Sequence, residues 1–313
     1  MDLKRIINVA MGHEKADLVL KGASVLNVFT EQLEHKDVAI CGGYIAGLGR
    51  YEGVEEVDVS GKIIVPGFMD AHMHLESTLL TPAQFERGSL PRGTTAVMAD
   101  PHEIANVAGT DGIDYIMKLC EKLDMHIYFN LPSCVPAAPL EESGEVLEAE
   151  DLEPYYNRKN VLGLAEVMNS VGVTEGDSGL LNKINDARNR GRIIDGHAPF
   201  LGGKDLNAYV AAGVRSDHEC TNAQEAIEKL SRGQWIMVRE GTAAKNLKAL
   251  LPLCRPPYCY RSMLCTDDRH PEDLLSEGHM DAIIRKAVDQ GVSPVHAVQM
   301  CTINTTRDRK SVV

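Results

Sequence analysis

Lys62-Ile63-Ile64-Val65-Pro66-Gly67-Phe68-Met69-Asp70-Ala71-His72-Met73-His74 sets a short apolar run, 63–65, before a Pro-Gly turn and a His-x-His pair. In an extended chain, side chains two residues apart share a side, so His72 and His74 face the same way. The texture set here continues downstream. Apolar runs recur at 95–99, 125–130, 161–164, 192–195, 214–216, 235–238 and 262–265. Between them lie helical stretches at 111–123, 178–190, 205–212, 222–232 and 280–290. In the first, Ile113, Ile116, Met117 and Leu119 recur near the 3.6-residue period. Several run into Gly191, Gly213 or Gly233, residues suited to ending a helix. Eight strands alternating with helices predict an α/β fold, a parallel (β/α)8 TIM-like barrel rather than a doubly wound sheet.

Upstream, the first sixty residues read as short strands at 17–22, 37–43 and 44–49, ended by turn glycines. That is too little sheet to close a core alone. Residues 1–62 are therefore expected to form the N-terminal part of a small, incomplete β-sandwich, with the barrel spanning 63–307. The Glu- and Pro-rich stretch 136–154 is expected to be a solvated surface loop.

Composition narrows the function. The chain has 313 residues, 44% hydrophobic and 25% charged, ordinary values for a globular protein. No run approaches the ~18 apolar residues of a membrane span. A net charge of −13, from 32 basic and 45 acidic residues, argues against binding nucleic acid, which needs a cationic footprint. The eight cysteines stand singly with no CxxC pair, and no apolar signal core follows the basic N-terminus. They are expected to be reduced thiols in a cytoplasmic protein.

The chemistry falls to the eleven histidines. Barrel enzymes carry reactive groups just after their strands, on the C-terminal face. The apolar runs here lead into His72 and His74, Asp100-Pro101-His102-Glu103, Glu166, His197, His218-Glu219 and Asp267-Asp268. Alone, a His-x-His pair fits two solvated or core histidines, and an isolated strand-end carboxylate fits a cap or turn. Together the residues provide enough nitrogen and oxygen ligands for two metal ions. A cysteine-free set suits Fe(II), Mn(II) or Zn(II). His13, His35, His126, His270, His279 and His296 read as surface or packing residues.

Three motifs, in order, carry a family resemblance: 66–77 around His72-Met73-His74, 99–107 around Asp100-Pro101-His102-Glu103, and 266–274 beginning Thr266-Asp267-Asp268. They resemble the adenine deaminase family of the metal-dependent amidohydrolase superfamily, over nearly the whole chain to Thr302. The resemblance implies hydrolytic deamination of adenine to hypoxanthine and ammonia, in purine salvage, at two divalent ions, Mn2+ or Fe2+. It implies that His72 and His74 hold the more buried ion, and that Glu166 bridges where many relatives use a carboxylated lysine. His197 and His218 would hold the second ion. Asp267 would handle the proton, with Glu219 as proton donor or substrate contact. Asp100, His102 and Glu103 match a family motif as an extra ion site or a substrate clamp. The small-molecule partner implied is adenine, and the full-length form is expected to be a homo-oligomer.

Other readings stay open: an amidohydrolase acting on a cyclic amide or an acetylated amino sugar, a non-enzymatic metal-binding barrel, or an inactive truncated fragment. Family members continue beyond the barrel to complete the sandwich and add a further domain. This chain is therefore expected to be C-terminally truncated, with exposed sheet edges. Residues 308–313 depart from the family pattern and are expected to be a non-native tail.

Overall fold

The computed structural model describes residues 2–138 and 140–309. The chain divides after Pro66 into two compact units.

In the first unit the strands are β1 (Ala16–Lys21), β2 (Ser24–Asn27), β3 (Gln32–His35), β4 (Asp37–Cys41), β5 (Tyr44–Gly49), β6 (Gly53–Asp58) and β7 (Ile63–Ile64). They form two small sheets, ordered β5-β4-β1-β6 and β3-β2-β7. Val9, Ala16, Val19, Ala39 and Cys41 make the core. Val9 comes from a helix, Leu3–Ala10, that the strand-only reading of these residues did not anticipate. Asp2 caps it by accepting from the Arg5 amide, the usual role of an N-cap carboxylate. Val54 and Ile45 stay exposed on strands β6 and β5.

Among the described residues the second unit holds eight parallel strands: β8 (Phe68–Met73), β9 (Thr94–Ala99), β10 (His126–Leu131), β11 (Val161–Val167), β12 (Ile193–Gly196), β13 (Ser216–Asp217), β14 (Trp235–Arg239) and β15 (Ser262–Cys265). Two ladders, β12-β11-β10-β9-β8 and β13-β14-β15, make up the wall. The Arg215 amide donates to Ile194 O at 3.1 Å across one junction. A parallel bridge between Met73 and Asp267 closes the other. The chain thus has the TIM-like barrel expected of it.

One strand differs from the expectation. Ile63 and Ile64 pair with Ser24 and Val25 in the first unit, so the run 63–65 is not a barrel strand. The first barrel strand is Phe68–Met73, with His72 inside it and His74 just beyond.

Alternation along the strands separates two apolar layers. Trp235, Met237, Met263 and Cys265 cluster with Ala71. Ile236, Val238 and Leu264 pack with Met280, Ile283 and Ala287 of the helix Met280–Asp289. Continuing the first parity along β14 and past β15 leads to Arg239 and Asp267.

The helix after β9, His102–Cys120, is broken at Gly109, whose φ is 55°. A Cβ there would lie 2.9 Å from Glu145 Cγ, in a backbone region side chains disfavour. The expected helix at 111–123 corresponds to the part after this break, and His102 opens the part before it. The expected solvated loop at 136–154 is only partly so: Leu147 and Leu152 are buried in the main core. Pro139 lies outside the described residues. Asp308 and Arg309 end the helix Ile303–Arg309, both buried, with Arg309 Nη1 2.7 Å from Asp195 Oδ2. Residues 310–313 of the expected tail lie outside the described residues.

Candidate metal centre

Four imidazoles and several carboxylates converge at the C-terminal ends of the strands. His72 and His74 bring their Nε2 atoms within 3.2 Å of each other. Both face Asp267 Oδ1, at 3.5 and 3.2 Å. His218 stacks on His72 with ring centroids 4.1 Å apart. Glu166, buried in β11, divides its two oxygens. Oε2 meets His197 Nδ1 at 2.7 Å and His218 Nε2 at 3.1 Å. Oε1 faces His74 Nε2 at 3.6 Å and His102 Nδ1 at 3.4 Å.

Backbone and neighbouring side chains aim these groups. Asp70 Oδ1 accepts from the amides of His72 and Thr266, and its Oδ2 from Thr266 Oγ1, which ties β8 to the end of β15. His74 Nδ1 lies 3.0 Å from Asp100 O. Asp267 adopts φ 61°, a left-handed conformation uncommon outside glycine and typical of functional positions. Tyr209 donates to Val167 O at 2.6 Å and accepts from the His197 amide at 3.0 Å, linking the ends of β11 and β12.

Asp100 and His102 join the cluster. His102 Nδ1 is 3.1 Å from Asp100 Oδ2, and both group with His74 and Glu166 within metal-binding reach. Glu103 is turned elsewhere, accepting from Ser77 Oγ at 2.8 Å. Glu219 meets Arg239, a residue the sequence reading did not single out. Arg239 donates to both Glu219 oxygens and, at 2.8 Å, to Asp267 Oδ2. A signal for it existed, because Arg239 follows an apolar strand just as the other site residues do. Of the histidines set aside, His279 is fully buried as a packing residue, its Nδ1 2.9 Å from Thr94 Oγ1.

The electrostatics favour a bound cation. Burial would raise the Glu166 carboxyl, but His218 and the hydrogen bonds from His197 and His218 hold it well below the carboxylate range. Burial works likewise on Asp267 and is overcome by His72 and His74, then by His218. Burial would lower His218, yet the Glu166 charge and hydrogen bond push it up to about 9. His102 rises to about 9 against the same penalty, chiefly through Asp100. His72 goes the other way, lowered by burial and by the neighbouring His218 charge. Ionised carboxylates thus hold protons on His218 and His102 in the metal-free chain, positive charge that a divalent ion would replace. Among the described residues the buried His218 Nδ1 has no partner. Two overlapping sets, His72–His218–Asp267 and Glu166–His197–His218, have ligand atoms close enough for one ion each. The residues fit a pair of divalent ions.

This barrel and this donor set define a metal-dependent hydrolase architecture. Residues 63–307 match the amidohydrolase family, and the chain belongs to it. The chain is 50% identical over 303 residues to an adenine deaminase of Oceanobacillus iheyensis, covering 97% of this chain and 52% of that protein. An adenine deaminase of Kosmotoga olearia is 48% identical over 309 residues, covering 98% and 54%. The chain therefore spans about half the length of these curated relatives. Among solved structures, a β-aspartyl dipeptidase of Fervidobacterium islandicum AW-1 shares the fold, with TM-score 0.65 at 18% identity over 93% of this chain and 86% of that one. Among the described residues no helix is long and apolar enough to cross a membrane.

Proposed function

We propose that this barrel deaminates adenine hydrolytically, giving hypoxanthine and ammonia, with two divalent ions, Mn2+ or Fe2+, at the strand ends. The observation that carries the two-ion reading is the division of Glu166, one oxygen towards His197 and His218, the other towards His74. His72, His74 and Asp267 would hold one ion, His197 and His218 the other, with Glu166 between. The adenine substrate rests on the likeness to curated adenine deaminases. The buried lysines that could carry a carboxylated bridge are committed elsewhere: Lys183 donates to Ser133 O, and Lys229 to Asp217. That favours deamination over the cyclic-amide reading, whose enzymes usually bridge their metals with a carboxylated lysine.

When bound, such ions would supply Lewis acidity and lower the pKa of a bound water. The chain supplies the proton handling. Replacing the C6 amine by the water oxygen requires one water proton to reach N1 and the other to reach the departing amine. Asp267 is ionised in the metal-free chain, and in this reading it takes the water proton. Glu219 shares Arg239 with it and, in this reading, returns a proton to substrate. Asp100 and His102, next to His74, are the candidates for a substrate clamp or an extra ion. In this reading the protein works in the cytoplasm, in purine salvage, and as a homo-oligomer in its full-length form.

The test is the full-length protein reconstituted with Mn2+ or Fe2+ and assayed for ammonia release. Adenine should be turned over and cytosine should not. Equal or better hydrolysis of a cyclic amide or an acetylated amino sugar would overturn the assignment.

A further inference from the structure

Beside the proposed metal centre lies a second compact polar cluster. Asp217, Cys220 and Glu225 place ligand atoms close enough together for an ion of their own. That space is filled from within the chain. Lys229, on the helix Ala223–Ser231, is fully buried. Its ammonium donates to Ala198 O at 2.6 Å, Asp217 Oδ2 at 2.8 Å and Glu225 Oε1 at 2.8 Å. An ammonium has three donors, and all three are used. The cluster is built around an internal cation.

What it joins gives it meaning. Ala198 follows His197, and Asp217 precedes His218. Asp217 Oδ1 accepts from the Ala198 amide at 2.8 Å, while Lys229 takes the Ala198 carbonyl. Both polar groups of residue 198 are thus fixed to the segment carrying His218. Two further bonds run the same way: Phe200 N to Glu225 Oε1 at 2.8 Å, and Gly203 N to Glu228 Oε1 at 3.1 Å. The loop after His197 is laid along the helix that follows His218.

We propose that Lys229 is a positioning residue for the second ion, its ammonium joining with Asp217 to lock the His197 loop to the His218 strand end. The lock sets the placement of both imidazoles around Glu166 Oε2. It rests on the reading of His197 and His218 as ligands of one ion. Groups that orient metal ligands in this way typically change metal affinity by about 10–100-fold when removed.

A buried ion pair is also a structural element, so the test must separate the two roles. Lys229→Met alone strands the Asp217 charge and should destabilise the fold strongly. The double variant Asp217→Asn/Lys229→Met removes the fully buried pair, a replacement often harmless to stability, while the partly exposed Glu225 keeps the Phe200 amide as its partner. The carboxamide that takes the place of the Asp217 carboxylate can still accept from the Ala198 amide, but the Ala198 carbonyl loses its ammonium.

Metal-free parent and variants are titrated with Mn2+, with bound ion counted by electron paramagnetic resonance and thermal unfolding followed alongside. The parent should hold two ions. The double variant should unfold near the parent temperature, keep one ion at parent affinity, and bind the second about 10–100-fold more weakly. Retention of the first ion reports that the barrel is intact in the same sample. A double variant that binds both ions as the parent does overturns the positioning role. A parent that binds no ion overturns the metal reading itself, and this inference with it.

Discussion

Removing Arg239 tests how the proton-handling carboxylates are held. The guanidinium bonds both oxygens of Glu219 and one of Asp267, and its Nε donates to Asn246 Oδ1 at 3.2 Å. All three charged side chains are at most 15% exposed, so water screens them little. In Arg239→Met, two carboxylates face one another with no cation between them. Breaking a buried pair from one side costs about 3–5 kcal/mol. For a domain of this size, each kcal/mol lowers the melting temperature by about 2–4 °C, so the metal-free variant should melt roughly 6–20 °C below the parent. A bound cation beside Asp267 would supply part of the missing charge, so the deficit should shrink once Mn2+ is added. The assay is thermal unfolding of parent and variant, each with chelator and with excess Mn2+. A variant within about 1 kcal/mol of the parent in chelator would show that Arg239 is not the counter-charge. A deficit that ignores the metal would detach Asp267 from the ion site.

Glu166→Gln removes the charge shared by both imidazole sets, and elemental analysis should find at least one ion fewer per chain. Two ions at unchanged affinity would remove Glu166 from the ligands. Asp267→Asn should keep substantial metal, since His72, His74, Glu166, His197 and His218 remain. Its turnover of adenine should nevertheless fall by about 10²–10⁴, the usual range for a general acid–base group. Near-normal turnover would move the proton role to Glu219. Away from the site, Glu277 is held down to about 2 by hydrogen bonds from Lys286 and Arg269. A depressed carboxyl stabilises the fold above its ordinary titration range and loses that contribution as pH falls towards 2. Glu277→Gln should therefore flatten part of the acid side of the stability profile, and an unchanged profile would refute this.

The barrel was legible because most of its strands are short apolar runs with polar residues immediately after them. Thr94–Ala99, Trp235–Arg239 and Ser262–Cys265 fall within a residue of their expected bounds. The first strand was misplaced for a physical reason. Ile63-Ile64-Val65 looks more like a buried strand than Phe68-Met69-Asp70-Ala71-His72-Met73, which carries Asp70 and His72 inside it. Those polar groups are tolerated there because Thr266 satisfies Asp70 across the barrel seam, a contact between residues 196 apart in sequence. Residue type and strand-end position brought His72, His74, Glu166, His197, His218 and Asp267 together. The same logic stops short of contacts. It grouped Glu103 with Asp100 and His102, although the opening turn of a helix points successive side chains apart and delivers Glu103 to Ser77. Nor did it single out Arg239, which follows an apolar strand as the other site residues do, or Lys229, because a lone cation in a sequence reads as surface until its buried partners are known.

The central claim is a pair of ions sharing one carboxylate, and Mn2+ titration of the metal-free chain followed by electron paramagnetic resonance addresses it most directly. Two ions bridged by Glu166 should bind per chain and give the broadened, exchange-coupled signal of neighbouring Mn2+ centres. Saturation at one ion with an isolated six-line Mn2+ spectrum would contradict the account.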